Sequence, residues 1–320
     1  MKIKRRLRSA IESAAARTGV LNRFERGARH GFTILTYHRV LPAERCAHAP
    51  FPSLVMPDVA FREQMRRLAS QFEVTTISAG LARITSGELP ERPLVAVTFD
   101  DGYVDNATHA APILNEFGLR GTFFLVHDFV VHGRELWFER VARLEAATPA
   151  LVERLKGLDT AERERTVDEL CSAASAEPAE ERDGPMSRAQ VLALIDAGHE
   201  IGSHTLTHPI LTRSDTASLG REVRESKLGL EGWLGAEVPG FCYPNGDNDE
   251  RVQAVVRDAG YRWACSTDAG RNHAPLARFE LQRIDVTPSR VTDHNGAYSE
   301  LAFRSEISLL RSALRGGEAR

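Results

Sequence analysis

The feature that most restricts the fold of this chain is a set of short apolar runs without polar alternation. Leu94-Val95-Ala96-Val97-Thr98-Phe99 and Gly121-Thr122-Phe123-Phe124-Leu125-Val126 are the clearest. A strand with one wet face alternates apolar and polar residues, so an unbroken apolar run of this length reads as a strand covered on both faces. Seven candidate strands begin near residues 33, 94, 121, 199, 240, 261 and 281. Between them lie stretches with helical spacing: Phe61, Met65, Leu68 and Phe72; a segment around 108–117 closed by Gly118; Val191, Leu192, Leu194 and Ile195 behind a Ser187–Gln190 capping box; roughly 215–234; and Val252, Val255 and Val256. Strands alternating with helices build right-handed βαβ units and a mainly parallel α/β sheet. No glycine-rich phosphate-binding pattern follows the first strands, so a closed or nearly closed barrel is the better expectation than a nucleotide-binding sheet.

The flanks differ from this core. Lys2, Lys4, Arg5, Arg6, Arg8, Arg17, Arg23, Arg26 and Arg29 crowd the first thirty residues against only Glu12 and Glu25. Ile3, Leu7, Ala10, Ile11, Ala14, Leu21 and Phe24 recur there at helical spacing. Two readings follow: a helix lying on an anionic membrane surface through residues 1–30, or a solvated helix packed across the domain, the second being slightly favoured. The expected division is a basic helical arm over 1–31, a barrel over 32–290, and a C-terminal helix within 291–320, centred on 298–314. About 134–183 reads as a charged helical insertion, solvated or beside a cleft as a lid, and Glu177-Pro178 to Pro185 as a flexible acidic linker. Residues 41–56, rich in proline, read as a loop. The formal net charge of −3 gives no reason to expect nucleic acid as a partner. No run near the start is apolar enough for a signal-peptide core or a span, and the four cysteines form no Cys-x-x-Cys, so the expected setting is reduced and cytoplasmic, peripheral at most to the inner membrane face.

In α/β barrels the chemistry gathers at the carboxyl ends of the strands. Reading that rim along the chain gives His38, then Asp100 and Asp101, then His204, then Pro244-Asn245-Gly246, then Thr267-Asp268, with Arg283 and Asp285 on the last strand. His204 and His208 are four apart, which on a helical turn points both rings at one ion. Two imidazoles and a carboxylate form the ligand set of zinc hydrolases and non-haem iron sites. One acid of Asp100-Asp101 completes such a shell, and the other is left to take a proton from water. Trp137, Phe138 and Trp263 offer flat aromatic surfaces for a ligand, although packing is the commoner use of buried aromatics.

Thr98-Phe99-Asp100-Asp101-Gly102 and His204-Thr205-Leu206-Thr207-His208, the second preceded by Gly198-His199-Glu200-Ile201-Gly202-Ser203, resemble the polysaccharide deacetylases of carbohydrate esterase family 4, defined by a nodulation-type chitooligosaccharide deacetylase domain. The resemblance covers about 32–288 apart from much of the insertion, and it implies a distorted (β/α)7 barrel. It also implies removal of N-acetyl groups from N-acetylated sugar units, with Asp101, His204 and His208 as ligands of a divalent metal, usually Zn2+, and Asp100 as general base. The family's Arg-x-Pro-Tyr and late Leu-x-His motifs are absent. Phe241-Cys242-Tyr243-Pro244-Asn245-Gly246 and Tyr37-His38-Arg39-Val40 instead resemble the circularly rearranged poly-N-acetylglucosamine deacetylases. By that likeness the Asn245 N–H steadies an oxyanion, Tyr243 lines the pocket, His38 is the general acid and Arg283 braces the base, a structural pair with Asp285 being the alternative. The implied partner is an N-acetylated glycan or a lipid-linked sugar. A barrel hydrolase of a non-sugar amide and a non-catalytic carbohydrate-binding protein are the competing functions.

Overall fold

A computed structural model describes residues 2–87, 89–144, 148–173 and 184–314, with side chains from residue 6 onward. All seven expected strands form: β1 Phe32–Tyr37, β5 Leu94–Phe99, β6 Thr122–Leu125, β7 Glu200–Ser203, β8 Gly240–Cys242, β9 Trp263–Cys265 and β10 Ile284–Asp285. Three further short strands were not expected: β2 Arg39–Leu41, β3 Val55–Pro57 and β4 Glu73–Thr75. The main sheet is parallel throughout, in the order β10-β1-β5-β6-β7-β8-β9, with β4 also pairing β5. A parallel bridge between Cys265 and Leu281, just ahead of β10, draws the two ends of this curled sheet together. The result is the expected (β/α) barrel, its sheet eight-stranded because of β4.

Strand alternation explains what the barrel holds. Phe32 and Ile34 of β1 and Leu94 and Ala96 of β5 pack with Phe124, Cys242, Trp263, Cys265 and Leu281 in one buried cluster that plugs the interior. Two residues further on, the same inward parity brings Thr36, His38, Thr98 and Asp100 above that plug. The opposite parity, Leu35, Tyr37, Val95, Val97 and Phe99, packs outward in the larger core with Phe61, Met65 and Leu68 of the helix Asp58–Gln71. Phe99 stacks on Phe123 with centroids 4.8 Å apart, and Phe61 meets Tyr37 edge-on at 5.2 Å. Truncating any one of these rings to alanine costs about 3–5 kcal/mol.

Several expectations need correction. The 41–56 loop contains the helical turn Ala43–Cys46, and its ends pair in parallel as β2 and β3. The helix expected near 108–117 starts in a π-turn, Asn106–Ala110, before Ala111–Glu116. The single C-terminal helix is two, Glu300–Ile307 and Leu310–Leu314, because Leu309 takes a left-handed φ of 63°. The basic arm folds as Lys2–Arg17 and Val20–Gly27 and packs on the body through Ala15, Leu21 and Leu310. The insertion forms three helices, Trp137–Ala142, Pro149–Lys156 and Thr160–Ala173, around a small core of Trp137, Val141, Leu155 and Val167. The acidic linker lies outside the described residues up to Asp183. Beyond it Gly184 accepts from the Val104 N–H, and the Met186 N–H donates to Gly102, so the chain re-enters beside the Asp-Asp-Gly turn.

Candidate metal centre and catalytic site

A cavity of about 410 Å³ opens at the carboxyl ends of the strands. His38, Asp100, Asp101, His204, His208, Asn245 and Arg283 all line it, so the rim residues singled out in the sequence converge on one space. Thr267 and Asp285 join them, whereas Tyr243 does not. Tyr243 is fully buried in the core, its hydroxyl donating to the Phe279 carbonyl, because its side chain leaves β8 with the outward parity.

The two acids are equally buried and oppositely placed. Asp100 receives both arms of the Arg283 guanidinium, Nη1 to Oδ1 and Nη2 to Oδ2, each at 2.8 Å. Arg283 is itself held by Nε donating to the Ser266 carbonyl at 2.8 Å, and it makes no pair with Asp285. Burial alone would push the Asp100 carboxyl up, but the Arg283 guanidinium outweighs it and holds the group well below the usual carboxylate range. Asp101 turns away with a left-handed φ of 80°, which takes its carboxylate out of the reach of that arginine. Burial pushes Asp101 up to about 7, and the nearby Asp100 and Glu139 charges add to the shift.

The two histidines face Asp101, but not from a helix. His204 follows β7, and residues 204–208 form a loop in which Thr205 and His208 have φ of 72° and 60°. Glu222 holds this loop: its carboxylate accepts from the Leu206 and Thr207 N–H groups at 3.0 and 2.9 Å and from the Thr207 hydroxyl at 2.7 Å. His204 Nδ1 lies 2.7 Å from the Cys242 carbonyl, so it is the protonated nitrogen and Nε2 carries the lone pair. That Nε2 is 3.7 Å from Asp101 Oδ1, and His208 Nε2 is 3.5 Å from the same oxygen. Burial lowers both imidazoles, His204 to about 4, so neither is a cation near neutrality. A buried carboxylate thus meets two neutral rings beyond hydrogen-bond length. Two ligands of one tetrahedral zinc at 2.0–2.1 Å stand about 3.3 Å apart, so the donor set and its spacing fit a divalent cation.

Other parts of the site had no clear signature in the sequence. Asp105 accepts from Arg39 Nε at 2.8 Å and from the Val40 N–H at 2.9 Å, while Asn106 donates to the His38 carbonyl at 2.8 Å, so the turn after the acids clamps the backbone around His38. The Thr36 hydroxyl is buried in the cavity wall without a partner among the described residues. Asn245 takes a left-handed φ of 58°, and its carbonyl accepts from the Thr267 hydroxyl at 2.8 Å, fixing the turn after β8. The insertion is neither remote nor merely solvated. Trp137 donates from its indole to the His208 carbonyl at 3.1 Å, Tyr103 donates to Glu139 at 2.7 Å, and Trp137, Phe138, Val152 and Lys156 line the cavity. Trp137 therefore packs behind His208, and Trp263 lies in the plug below. The sequence signal for Glu222 is an acid on the buried stripe of its helix, between Leu219 and Val223.

A parallel barrel with this rim defines a protein of the deacetylase type of (β/α) barrel, the architecture it shares with solved enzymes. The Streptococcus pyogenes deacetylase PplD, solved in complex with acetate, superposes with a TM-score of 0.61 at 18% identity, over 83% of this chain and 96% of that one. IcaB from Ammonifex degensii gives a TM-score of 0.57 at 19% identity, over 81% of this chain and 93% of its own. The polysaccharide deacetylase family model matches residues 88–264, more than half of the sequence, and the chain belongs to that family. Among curated proteins it is 22% identical over 268 residues to YxkH of Bacillus subtilis (strain 168), 83% of this chain and 75% of that one, a protein provisionally named a polysaccharide deacetylase.

Proposed function

We propose that this chain is a divalent-metal N-deacetylase of N-acetylated sugar units, with Asp101, His204 and His208 as the metal ligands. The observation that carries the reading is the division between neighbouring acids: Asp100 is neutralised by Arg283, while Asp101 faces two neutral imidazoles at 3.5 and 3.7 Å. A divalent cation held there supplies Lewis acidity and lowers the pKa of a water toward neutrality, which an unreactive amide requires. Asp100, kept ionised and oriented by Arg283, accepts the proton of the attacking water. The Asn245 N–H donates to the oxyanion that develops on the acetyl oxygen. His38, in the Tyr37-His38-Arg39-Val40 element that resembles the rearranged subgroup, delivers a proton to the departing sugar amine. Phe51, Leu54 and Phe138 form an apolar wall on one side of the cavity, suited to the face of a sugar ring or to the start of a lipid tail. An N-acetylated glycan and a lipid-linked sugar are thus the two substrate forms to try. The test is acetate release from N-acetylglucosamine oligomers and from a lipid-linked N-acetylated sugar, before and after chelation and after adding back Zn2+. Turnover lost on chelation and restored by the ion supports the proposal, and turnover indifferent to chelator sinks it.

A further inference from the structure

The helix Lys2–Arg17 turns Arg8 and Glu12 toward the body beside the buried Ala15. Glu12 is buried and accepts from Arg311 Nε at 2.7 Å, Arg311 in turn donating to Glu306 at 2.9 Å. Arg8 donates to the Thr292 carbonyl at 3.1 Å. The opposite face of the helix Lys2–Arg17 carries Leu7, Ala10, Ile11 and Ala14, all exposed, Leu7 to 63% and Ile11 to 41%. With Val20 at 43%, the arm holds three of the seven large hydrophobic side chains exposed among the described residues. A helix serving only its own domain would bury that stripe.

The charges around the stripe are equally one-sided. Glu12 pairs with Arg311, and Glu25 with Arg67 and Arg304, so both acids of the arm are engaged with the body. Arg6, Arg17, Arg23 and Arg26 are exposed and form no ion pair among the described residues. The outward surface is therefore an apolar ridge flanked by cations. A second copy meeting it about a two-fold axis would set arginines against arginines. An anionic bilayer offers acyl chains to Leu7 and Ile11 and phosphates to the guanidinium groups.

We infer that residues 6–20 form a docking surface for an anionic lipid bilayer. Arg8, near the middle of this helix, holds its inward face to the segment whose Arg290 lines the cavity, so docking through the outer face keeps the cavity rim tethered near the lipid surface. That last consequence rests on the deacetylase reading, whereas the docking does not. The experiment is co-sedimentation of the full chain with vesicles of phosphatidylcholine alone and of phosphatidylcholine mixed with phosphatidylglycerol, at low and high salt. Binding is expected to the mixed vesicles only and to fall with salt. Leu7→Glu with Ile11→Glu should weaken it by about tenfold or more, and Arg6→Gln with Arg17→Gln should weaken it and flatten the salt dependence. Both double variants should keep the melting temperature and the acetate release from a soluble oligomer. Absent or lipid-independent binding, binding that either double variant leaves intact, or a dimer that Leu7→Glu with Ile11→Glu dissolves would each overturn the inference. The acetate assay reports separately on the proposed activity.

Discussion

Strand β7 is entered and left by buried polar residues, and its two ends behave differently. At the entry, His199 Nδ1 accepts the Gly121 N–H at 3.0 Å, and Glu200 accepts from the Ile77 and Ser78 N–H groups and from the Thr122 hydroxyl. At the exit, four residues after Glu200, His204 Nε2 and Asp101 Oδ1 face each other across 3.7 Å as two acceptors. Burial shifts the titration of groups at both ends. Burial of an ionisable group therefore does not by itself mark a functional site. What distinguishes the exit is that its lone pairs are aimed at one another instead of at protein donors. The comparison predicts that substitutions at the exit remove function and spare stability, and that substitutions at the entry do the reverse.

The largest effect belongs to Asp101→Asn, which should abolish acetate release and metal retention together. The melting temperature of the chelator-treated protein should stay level or rise, since an acid without a protein counter-charge has left the interior. A large drop in that temperature would break the comparison, because Asp101 would then be structural. Asp100→Asn should keep the metal, measured by atomic absorption, and lower kcat about 10²–10⁴-fold, the usual contribution of a general base. Full turnover in that variant would remove the role proposed for Asp100.

Arg283→Met touches function and stability together. It leaves the buried Asp100 carboxylate without its partner, at a cost of about 3–5 kcal/mol. With the largest contribution opposing burial gone, the pKa of Asp100 rises from where Arg283 holds it. The base must be ionised to work, so the acid limb of kcat/KM should move to higher pH. An unchanged acid limb would mean that Arg283 is only a structural anchor.

The parts legible in the sequence were those governed by period and by strand ends. Unbroken apolar runs marked the strands at 94–99 and 121–126, and the same inward parity that buries Phe32 and Ile34 carries Thr36 and His38 to the rim. The convergence of His38, Asp100, Asp101, His204, His208, Asn245 and Arg283 on one cavity follows from that geometry. Backbone conformation was less visible. The left-handed residues Thr205 and His208 put the histidine pair on a loop, where the spacing alone suggested a helical turn. Long-range support was hidden for another reason, since Glu222 and Trp137 reach the 204–208 loop from distant helices and no local pattern pairs them with it. The short strands β2, β3 and β4 each begin or end in a charged residue or a proline, Arg39, Pro57 and Glu73, so no apolar run marks them.

Glu222→Gln tests this hidden support. The amide oxygen can still take both N–H groups that Glu222 Oε2 accepts, but the charge assistance and the acceptor of the Thr207 hydroxyl are lost, and the histidines gain freedom. Metal affinity should fall by about tenfold, within the range typical for residues that orient ligands. Stability should change by only ~1 kcal/mol. Unchanged affinity would show that the loop holds the histidines without its acid.

The smallest effect lies at the entry of β7. Burial lowers His199 from 6.5 to about 4, so between these values the unfolded chain binds a proton that the folded chain refuses. Stability then rises with pH across that window and falls as pH is lowered from about 6.5 toward 4, below which the loss is complete. The full shift would correspond to at most ~3 kcal/mol. Denaturant melts across the window, run in the Asp101→Asn background so that metal release adds nothing, should show a slope that His199→Gln flattens. At neutral pH that substitution on the otherwise unaltered chain should leave kcat/KM within about twofold, since His199 and the cavity of the proposed site lie at opposite ends of the strand. If His199→Gln instead lowers kcat/KM severalfold and leaves the slope intact, the two ends of β7 are coupled, and the direction of the lone pairs is not what separates structure from function here.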